Sequence, residues 1–405
     1  MILDNELRTR QKEFLEGLLG LMPRGVRHFR PLPPYFTGYE YQTLYDWDQY
    51  FEGIILAYCG YPLEYVRNGI RIFMGLQRED GYIPRSFTPG VGVYYKHDVE
   101  FKPFLAQLCL LTVRQDGQLD WLVSEGIYER LCRFYAHWTT VKDVRKQGLS
   151  VWHECEHTGM DNHTMRAGRW GVDTDFCEGV DLNAYLVREA EALAVLSALL
   201  GKTAESQSFR ESAEARRRAM QRWLWDEKTG FFFDYHAREN RQIPVTYAGS
   251  FAALWAKVPT ETQAERIVGE NLLDPAKFWR PYPVPVLAAN TEGYSEGFLP
   301  GERNTCCNWR AHTWMPVNYM TVHGLGSYGY HDLANELAIR SLQLFDRGHF
   351  SEYYTSEQGI GTGLRPFWGW SALAIFLPTE TERRLDPTTL ASKRFDPPLS
   401  HIFSA

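Results

Sequence analysis

Three sets of carboxylates sit among aromatic and turn-forming residues, and paired carboxylates are the groups that cleave acetals. Such a reaction needs a proton for the leaving oxygen. When configuration is inverted it also needs a second carboxylate that activates water about 6.5–9.5 Å away, on the opposite face of the ring. The first acid is Asp161, in His157-Thr158-Gly159-Met160-Asp161-Asn162-His163-Thr164-Met165-Arg166. Gly159 permits a tight turn there, and apolar neighbours would raise the carboxyl pKa as a proton donor requires. The same residues also fit an Asx-turn or a local helix start. The second acid is Glu352, in His349-Phe350-Ser351-Glu352-Tyr353-Tyr354, upstream of Phe367-Trp368-Gly369-Trp370. Alone, a Glu between aromatics is more often a surface acid. Asp46 and Asp48, in Tyr45-Asp46-Trp47-Asp48-Gln49-Tyr50-Phe51, form the third set at the mouth of a helix, with helix capping as the plain alternative.

A different chemistry is written in His153-Glu154-Cys155-Glu156-His157, which fits the H-E-x-x-H pattern of zinc metalloproteases, with Glu178 downstream as a third ligand. That pattern must lie on a helix. Gly148-Leu149-Ser150 before it and Thr158-Gly159 after it argue against one, and the segment has a second use as the approach to Asp161. No Gly-rich phosphate loop, nucleophile elbow or further ligand set stands out, so neither a cofactor nor a metal is expected, and water is the co-substrate.

Composition narrows the partners. A formal net charge of −7, with no basic block longer than Arg216-Arg217-Arg218, offers no footprint for nucleic acid or an anionic membrane. The segment MILDNELRTRQKEF is charged from its fourth residue and lacks an apolar stretch of signal-peptide length, which suggests a cytoplasmic protein. Seven cysteines without a CxxC pair suit reduced, buried thiols. Aromatic residues make up 15% of the chain, many beside Gly, Asn, Asp or Arg; flat rings stack on the C–H faces of sugars, although any one ring can equally fill a core.

These groups must be positioned by helices. Apolar periodicity predicts twelve, over 5–20, 47–59, 62–77, 101–114, 119–141, 180–200, 203–224, 248–257, 261–271, 310–325, 330–346 and 367–378. Pro62 fits a first helical turn, and Gly201 and Gly326 fit left-handed helix ends. Short links (60–61, 115–118, 201–202, 258–260, 326–329) alternate with long ones (21–46, 78–100, 142–179, 225–247, 272–309, 347–366). Short links make antiparallel hairpins, so six hairpins closed into a ring, an all-α (α/α)6 toroid, would put every long loop at one end. The helices starting near 47, 101, 180, 248, 310 and 367 form the expected inner ring. The segment 203–224 reads as an outer helix with a solvated charged face. One catalytic domain over 1–378 is expected, followed by a polar tail over 379–405 that packs on the outside or moves.

Five of these pieces, in this order between Tyr41 and Phe376, resemble glycoside hydrolase family 63, including the bacterial mannosylglycerate and glucosylglycerate hydrolases, and more distantly the family-37 trehalases. Tyr45-Asp46-Trp47-Asp48 resembles a Trp-x-Trp-Asp motif, and Gly159-Met160-Asp161-Asn162 the loop that carries the acid. Asp181-Leu182-Asn183-Ala184-Tyr185-Leu186 is the third piece. Asn308-Trp309-Arg310 with Trp314, Asn318 and Tyr319 resembles a Trp-Arg-Gly helix, and Phe350-Ser351-Glu352-Tyr353-Tyr354 the segment that carries the base. The resemblance implies an inverting α-glycosidase acting on a small α-glucoside or α-mannoside, with Asp161 as general acid, Glu352 as general base and Asp48 on sugar hydroxyls. Tyr45, Trp47, Phe51, Lys102, Gln107, Met160, Asn162, Arg166, Trp309, Arg310, Tyr353 and Trp368 complete the expected substrate-facing set. Two departures concern the substrate: His157 stands where the family usually has Glu, and Lys102-Pro103-Phe104 where it commonly has Gln-Pro-Pro. Lys102 is thus either a contact for an anionic leaving group such as glycerate or an exposed helix-start residue. A sugar epimerase on the same ring, using His97, His312, His323 or His349 as acid and base, is the remaining alternative, although their spacing does not resemble that family.

Overall fold

The computed structural model describes residues 3–93, 99–152, 158–162, 176–298 and 307–403. They form a mostly helical molecule whose helices are α1 (Asn5–Gly25), α2 (Asp46–Tyr58), α3 (Glu64–Gly75), α4 (Leu105–Asp116), α5 (Asp120–Ser124), α6 (Ile127–Ala136), α7 (Val180–Leu199), α8 (Thr203–Trp223), α9 (Gly249–Trp255), α10 (Glu261–Arg266), α11 (Met315–Ser327), α12 (His331–Gly348) and α13 (Leu373–Arg383). No helix among the described residues is long and apolar enough to cross a membrane.

Two kinds of helix alternate. Every residue of α2 and α9 is buried, whereas α8 buries only a stripe containing Ser206, Ala213, Arg216, Ala219 and Met220. A helix apolar all round must be enclosed, and one with a single stripe must lie outside. The buried helices pack in order, α2 on α4, α4 on α7, α7 on α9, α9 on α11 and α11 on α13. Tyr58 of α2 stacks on Phe376 of α13, with ring centroids 4.3 Å apart. Glycine sets how near two such helices come: a Cβ on Gly324 of α11 would lie 2.9 Å from the Trp255 backbone nitrogen at the end of α9. The amphipathic α8 covers α7, and α12 covers both α11 and α13.

All twelve expected helices are present, and the differences at their ends have local causes. The segment 119–141 breaks at Gly126, whose φ of +65° ends α5 and starts α6, and its last turn widens into a π-helix over His137–Val141. Residues 310–314 are extended rather than helical, because His312 and Thr313 pair with Thr355 and Tyr354. Likewise α13 begins at Leu373, not 367, and runs to Arg383, five residues into the stretch read as tail. Pro62 precedes α3 rather than opening it. Gly201 is left-handed as expected (φ +74°), but Gly326 lies inside α11 and Gly329 takes the left-handed position (φ +81°).

Residues 384–403 are tied to the C-terminal ends of the buried helices. Arg114 sits over the Phe395 ring at 4.0 Å, Trp255 Nε1 donates to Thr388 Oγ1, and His323 lies between Glu380 and Asp386. The turns that carry the candidate acids lie at the opposite, N-terminal ends of those helices.

Candidate active site

The start of α2 is fixed by a two-residue ladder, Leu44–Tyr45 against Ser86–Phe87, and by the Asp46 N–H donating to the Arg85 carbonyl. Asp46 and Asp48 do not cap this helix: its N-cap is Tyr45, with no side-chain cap bond. The Asp46 carboxylate instead accepts the Lys102 backbone N–H at 3.0 Å and the Lys102 ammonium at 2.8 and 3.0 Å. Lys102 is 0% exposed, so the exposed helix-start reading is overturned. Its ammonium is held by Asp46 and lies 5.0 Å from the centre of the Trp47 ring. Burial lowers its pKa to about 8 against the attraction of Asp46. Asp48, also buried, is pushed up to about 7 by desolvation and by Asp46, with Lys102 and Arg85 opposing.

The Asp161 loop rests on this pair. Gly159 has φ +80°, and a Cβ there would lie 2.8 Å from Lys102 Cε and 3.2 Å from Trp47, so only glycine allows the loop to sit so low. Thr158 Oγ1 accepts the Met160 N–H, and Asn162 Oδ1 accepts the Trp309 N–H at 2.7 Å while its amide donates to Asn308. Between these anchors Asp161 keeps its side chain 21% exposed. Arg85 approaches its Oδ1 at 3.4 Å. Desolvation nonetheless raises the Asp161 pKa, outweighing Arg85, Lys102 and Cys307.

Glu352 comes from the loop after α12 and is 5% exposed. Its Oε2 accepts the Leu364 N–H at 3.0 Å, its Oε1 accepts the Cys307 thiol at 3.4 Å, and its carbonyl accepts the Trp370 indole N–H at 2.7 Å. Cys307 thus gives its thiol proton to Glu352 and lies near enough to Asp161 to stabilise that carboxylate as well. The two acids, nearly 200 residues apart in the chain, flank one sulfur atom. Tyr41 faces the same group: burial, then Asp48, Tyr45, Glu352 and Cys307, keep its hydroxyl protonated well above the ordinary tyrosine value.

An aromatic wall runs beside the acids. Trp47 tilts against Trp309 at 5.5 Å, Trp309 stacks on Trp314 at 3.4 Å, and Trp314 stacks on Tyr353 at 4.4 Å. Trp370 closes on Trp47 and Trp314. Arg310 is buried behind the wall, donating to the Gly297 carbonyl.

Other expected substrate contacts lie elsewhere. Phe51 is buried one turn below Trp47, against Phe104 and Tyr319. Gln107 is buried in a lattice with Glu189 and Arg188 that joins α4 to α7. Trp368 is fully buried with its backbone N–H on the Gly38 carbonyl, and Trp370 takes the place expected of it beside Glu352. Arg166, His97 and the His153–His157 segment lie outside the described residues. Glu178, the third ligand of the zinc reading, gives both carboxylate oxygens to Arg145. The histidines of the epimerase reading are dispersed: His312 is buried beside Tyr353 with its pKa lowered to about 3 by desolvation and Arg310, His323 lies at the far end, and His349 ends α12. Sequence reasoning missed Arg85, Cys307 and Tyr41; only the position of Cys307 directly before Asn308-Trp309-Arg310 hinted at one of them.

The sequence matches, over residues 41–371, the model of the mannosylglycerate hydrolase MGH1-like glycoside hydrolase domain. Among solved structures, the GH63 mannosylglycerate hydrolase from Thermus thermophilus in complex with Tris and D-glycerate superposes with a TM-score of 0.70 at 21% identity, covering 91% of this chain and 99% of that one. The neutral trehalase Nth1 from Saccharomyces cerevisiae superposes with a TM-score of 0.64 at 17% identity, covering 95% of this chain and 85% of that one. At these identities the likeness shows a shared fold.

Proposed function

Since the chain belongs to the mannosylglycerate hydrolase MGH1-like glycoside hydrolases, we propose that it cleaves a small α-linked glucoside or mannoside with inversion, using Asp161 as general acid and Glu352 as general base. The observation that carries this reading is the convergence of both carboxyl groups on the Cys307 sulfur. Two carboxyl groups that meet at one sulfur are near enough to flank a single glycosidic bond, and the inverting outcome is taken from the resemblance to family 63. Their environments differ as the two roles require. Asp161 has a raised pKa and can hold a proton for the leaving oxygen. Glu352 is oriented by a backbone N–H on Oε2 and by the Cys307 thiol on Oε1.

In this mechanism Asp161 protonates the glycosidic oxygen while Glu352 takes a proton from a water that attacks the anomeric carbon from the other face. Charge develops on the ring as the bond breaks. Asp48, buried, and Tyr41, partly buried, would hold sugar hydroxyls beside the acids, and the Trp47–Trp309 wall would stack on the ring's C–H face. The order in which the buried helices pack supports a six-hairpin (α/α)6 ring as one catalytic unit, with the site at the N-terminal ends of its inner helices. Mannosylglycerate, glucosylglycerate and α-linked disaccharides are the substrates to try.

Purified protein is incubated with mannosylglycerate, glucosylglycerate, trehalose, kojibiose, nigerose, maltose and isomaltose, and the released anomer is followed by NMR. Release of the β-anomer from an α-glycoside, lost in Asp161→Asn and Glu352→Gln, is the expected result. Single catalytic carboxylates contribute on the order of 10²–10⁴ in rate. Retention of configuration, or full activity in either variant, overturns the assignment.

A further inference from the structure

We propose that Cys307 is a positioning residue, its thiol aiming the Glu352 carboxylate beside Asp161. The inference rests on the roles just proposed for those two acids. Cys307 is 8% exposed and donates to Glu352 Oε1 at 3.4 Å. It lies near Asp161 too and opposes the upward shift that desolvation gives that carboxyl. The neighbouring Asn308 side chain anchors this stretch of backbone, accepting from Asn162 beside Asp161 and from the Arg310 N–H. The sulfur therefore lies next to the clamp that orients the acid loop.

The choice of a thiol matters. A thiol is a weak donor, so it can aim Oε1 without binding its negative charge as strongly as a hydroxyl would. A base must be aimed and still be willing to take a proton. A serine at this position, a stronger donor on a shorter bond, would favour the ionised form of the carboxylate it reaches. An alanine would favour neither form and leave both side chains freer. The consequences have opposite signs: a carboxylate that loses a donor holds its proton more tightly, and one that gains a stronger donor releases it more readily.

Two measurements test this. In the infrared, the S–H stretch of Cys307, identified by its loss in Cys307→Ala, should lie at the frequency of a hydrogen-bonded thiol and move in Glu352→Gln and in Asp161→Asn. This readout needs no substrate. On whichever glycoside the enzyme turns over, Cys307→Ala should shift the bell-shaped kcat profile upward by roughly half a pH unit and lower kcat more than it changes KM, while Cys307→Ser should shift the profile downward. An S–H band at the frequency of a solvated thiol, unmoved by either carboxylate variant, overturns the proposal. So do unchanged pH profiles in both cysteine variants. If Asp161→Asn and Glu352→Gln keep activity, the catalytic roles fail instead, and the infrared band alone decides whether the thiol aims the Glu352 carboxylate beside Asp161.

Discussion

Lys102 shows how a single charge is accommodated within the candidate site. The fold buries it on Asp46 with a backbone N–H bond alongside. A buried ion pair contributes little net stability, but breaking one strands its partner at a cost of about 3–5 kcal/mol. Lys102→Ala should therefore lower the melting temperature sharply, because Asp46 is left buried without its cation. It should also change activity through Asp48, whose pKa Lys102 helps hold down. Lys102→Ala together with Asp46→Ala should recover much of the stability; a double variant no better than the single one would show that the pair is not what the fold requires. At this scale Asp161, Asp48, Glu352, Trp47 and Trp309 of the proposed site were singled out in the sequence, because acids and tryptophans in irregular segments are conspicuous. Arg85, Tyr41 and Cys307 were hidden, being ordinary residues until the fold turns them toward the acids. Phe51, Gln107 and Trp368 misled for the converse reason. Each lies within a few residues of a site group, but helix and turn geometry aims its side chain into the core.

Among elements, the helices were legible and their ends were not, since burial periodicity survives in sequence while a terminus answers to whatever pairs with it. The strand of His312 and Thr313 is the clearest case: its partner is the strand just after Glu352, some forty residues away. The last helix was cut short because Pro378 and the polar TETERR run resemble an ending. Instead Glu380, buried within that run, accepts Tyr58, Tyr319 and His323. This cluster latches the C-terminal segment to α11. Burial lowers the His323 pKa, but Asp386 and Glu380 outweigh it, and the net shift is upward from 6.5. A histidine whose folded pKa is raised contributes stability in full below its unfolded value, and loses it as pH rises through the folded value. Asp386, held below 3.8 by His323 against desolvation, gives the opposite edge: its contribution is present above that value and is lost as pH falls through the folded one. Thermal melts across neutral pH should therefore show wild-type stability falling as pH climbs past 6.5, with the slope flattened in His323→Gln. An unchanged slope in that variant would remove the latch. Because the cluster lies at the far end from the acids, KM should hardly move.

Over the whole molecule, the early and late parts of the chain meet at a seam that reaches the candidate base. Gly38 and Gly369 approach so closely that a Cβ on Gly38 would overlap Gly369. The Gly38 carbonyl accepts the backbone N–H groups of both Trp368 and Gly369, while Glu52 of α2 accepts the Gly38 N–H. One residue further on, Trp370 donates its indole N–H to the Glu352 carbonyl. No periodicity could reveal this contact, because it depends on two loops more than 300 residues apart meeting backbone to backbone. Gly38→Ala forces the loops apart, and overpacking of this kind costs about 1–3 kcal/mol. The displacement passes through Trp370 to Glu352, so kcat should fall along with the melting temperature. His323→Gln, at the opposite end of the same helices, should lower stability alone. A Gly38→Ala enzyme that melts early but turns over at the wild-type rate would show that the base is held by its own loop, through Leu364 and Cys307, and not by the seam.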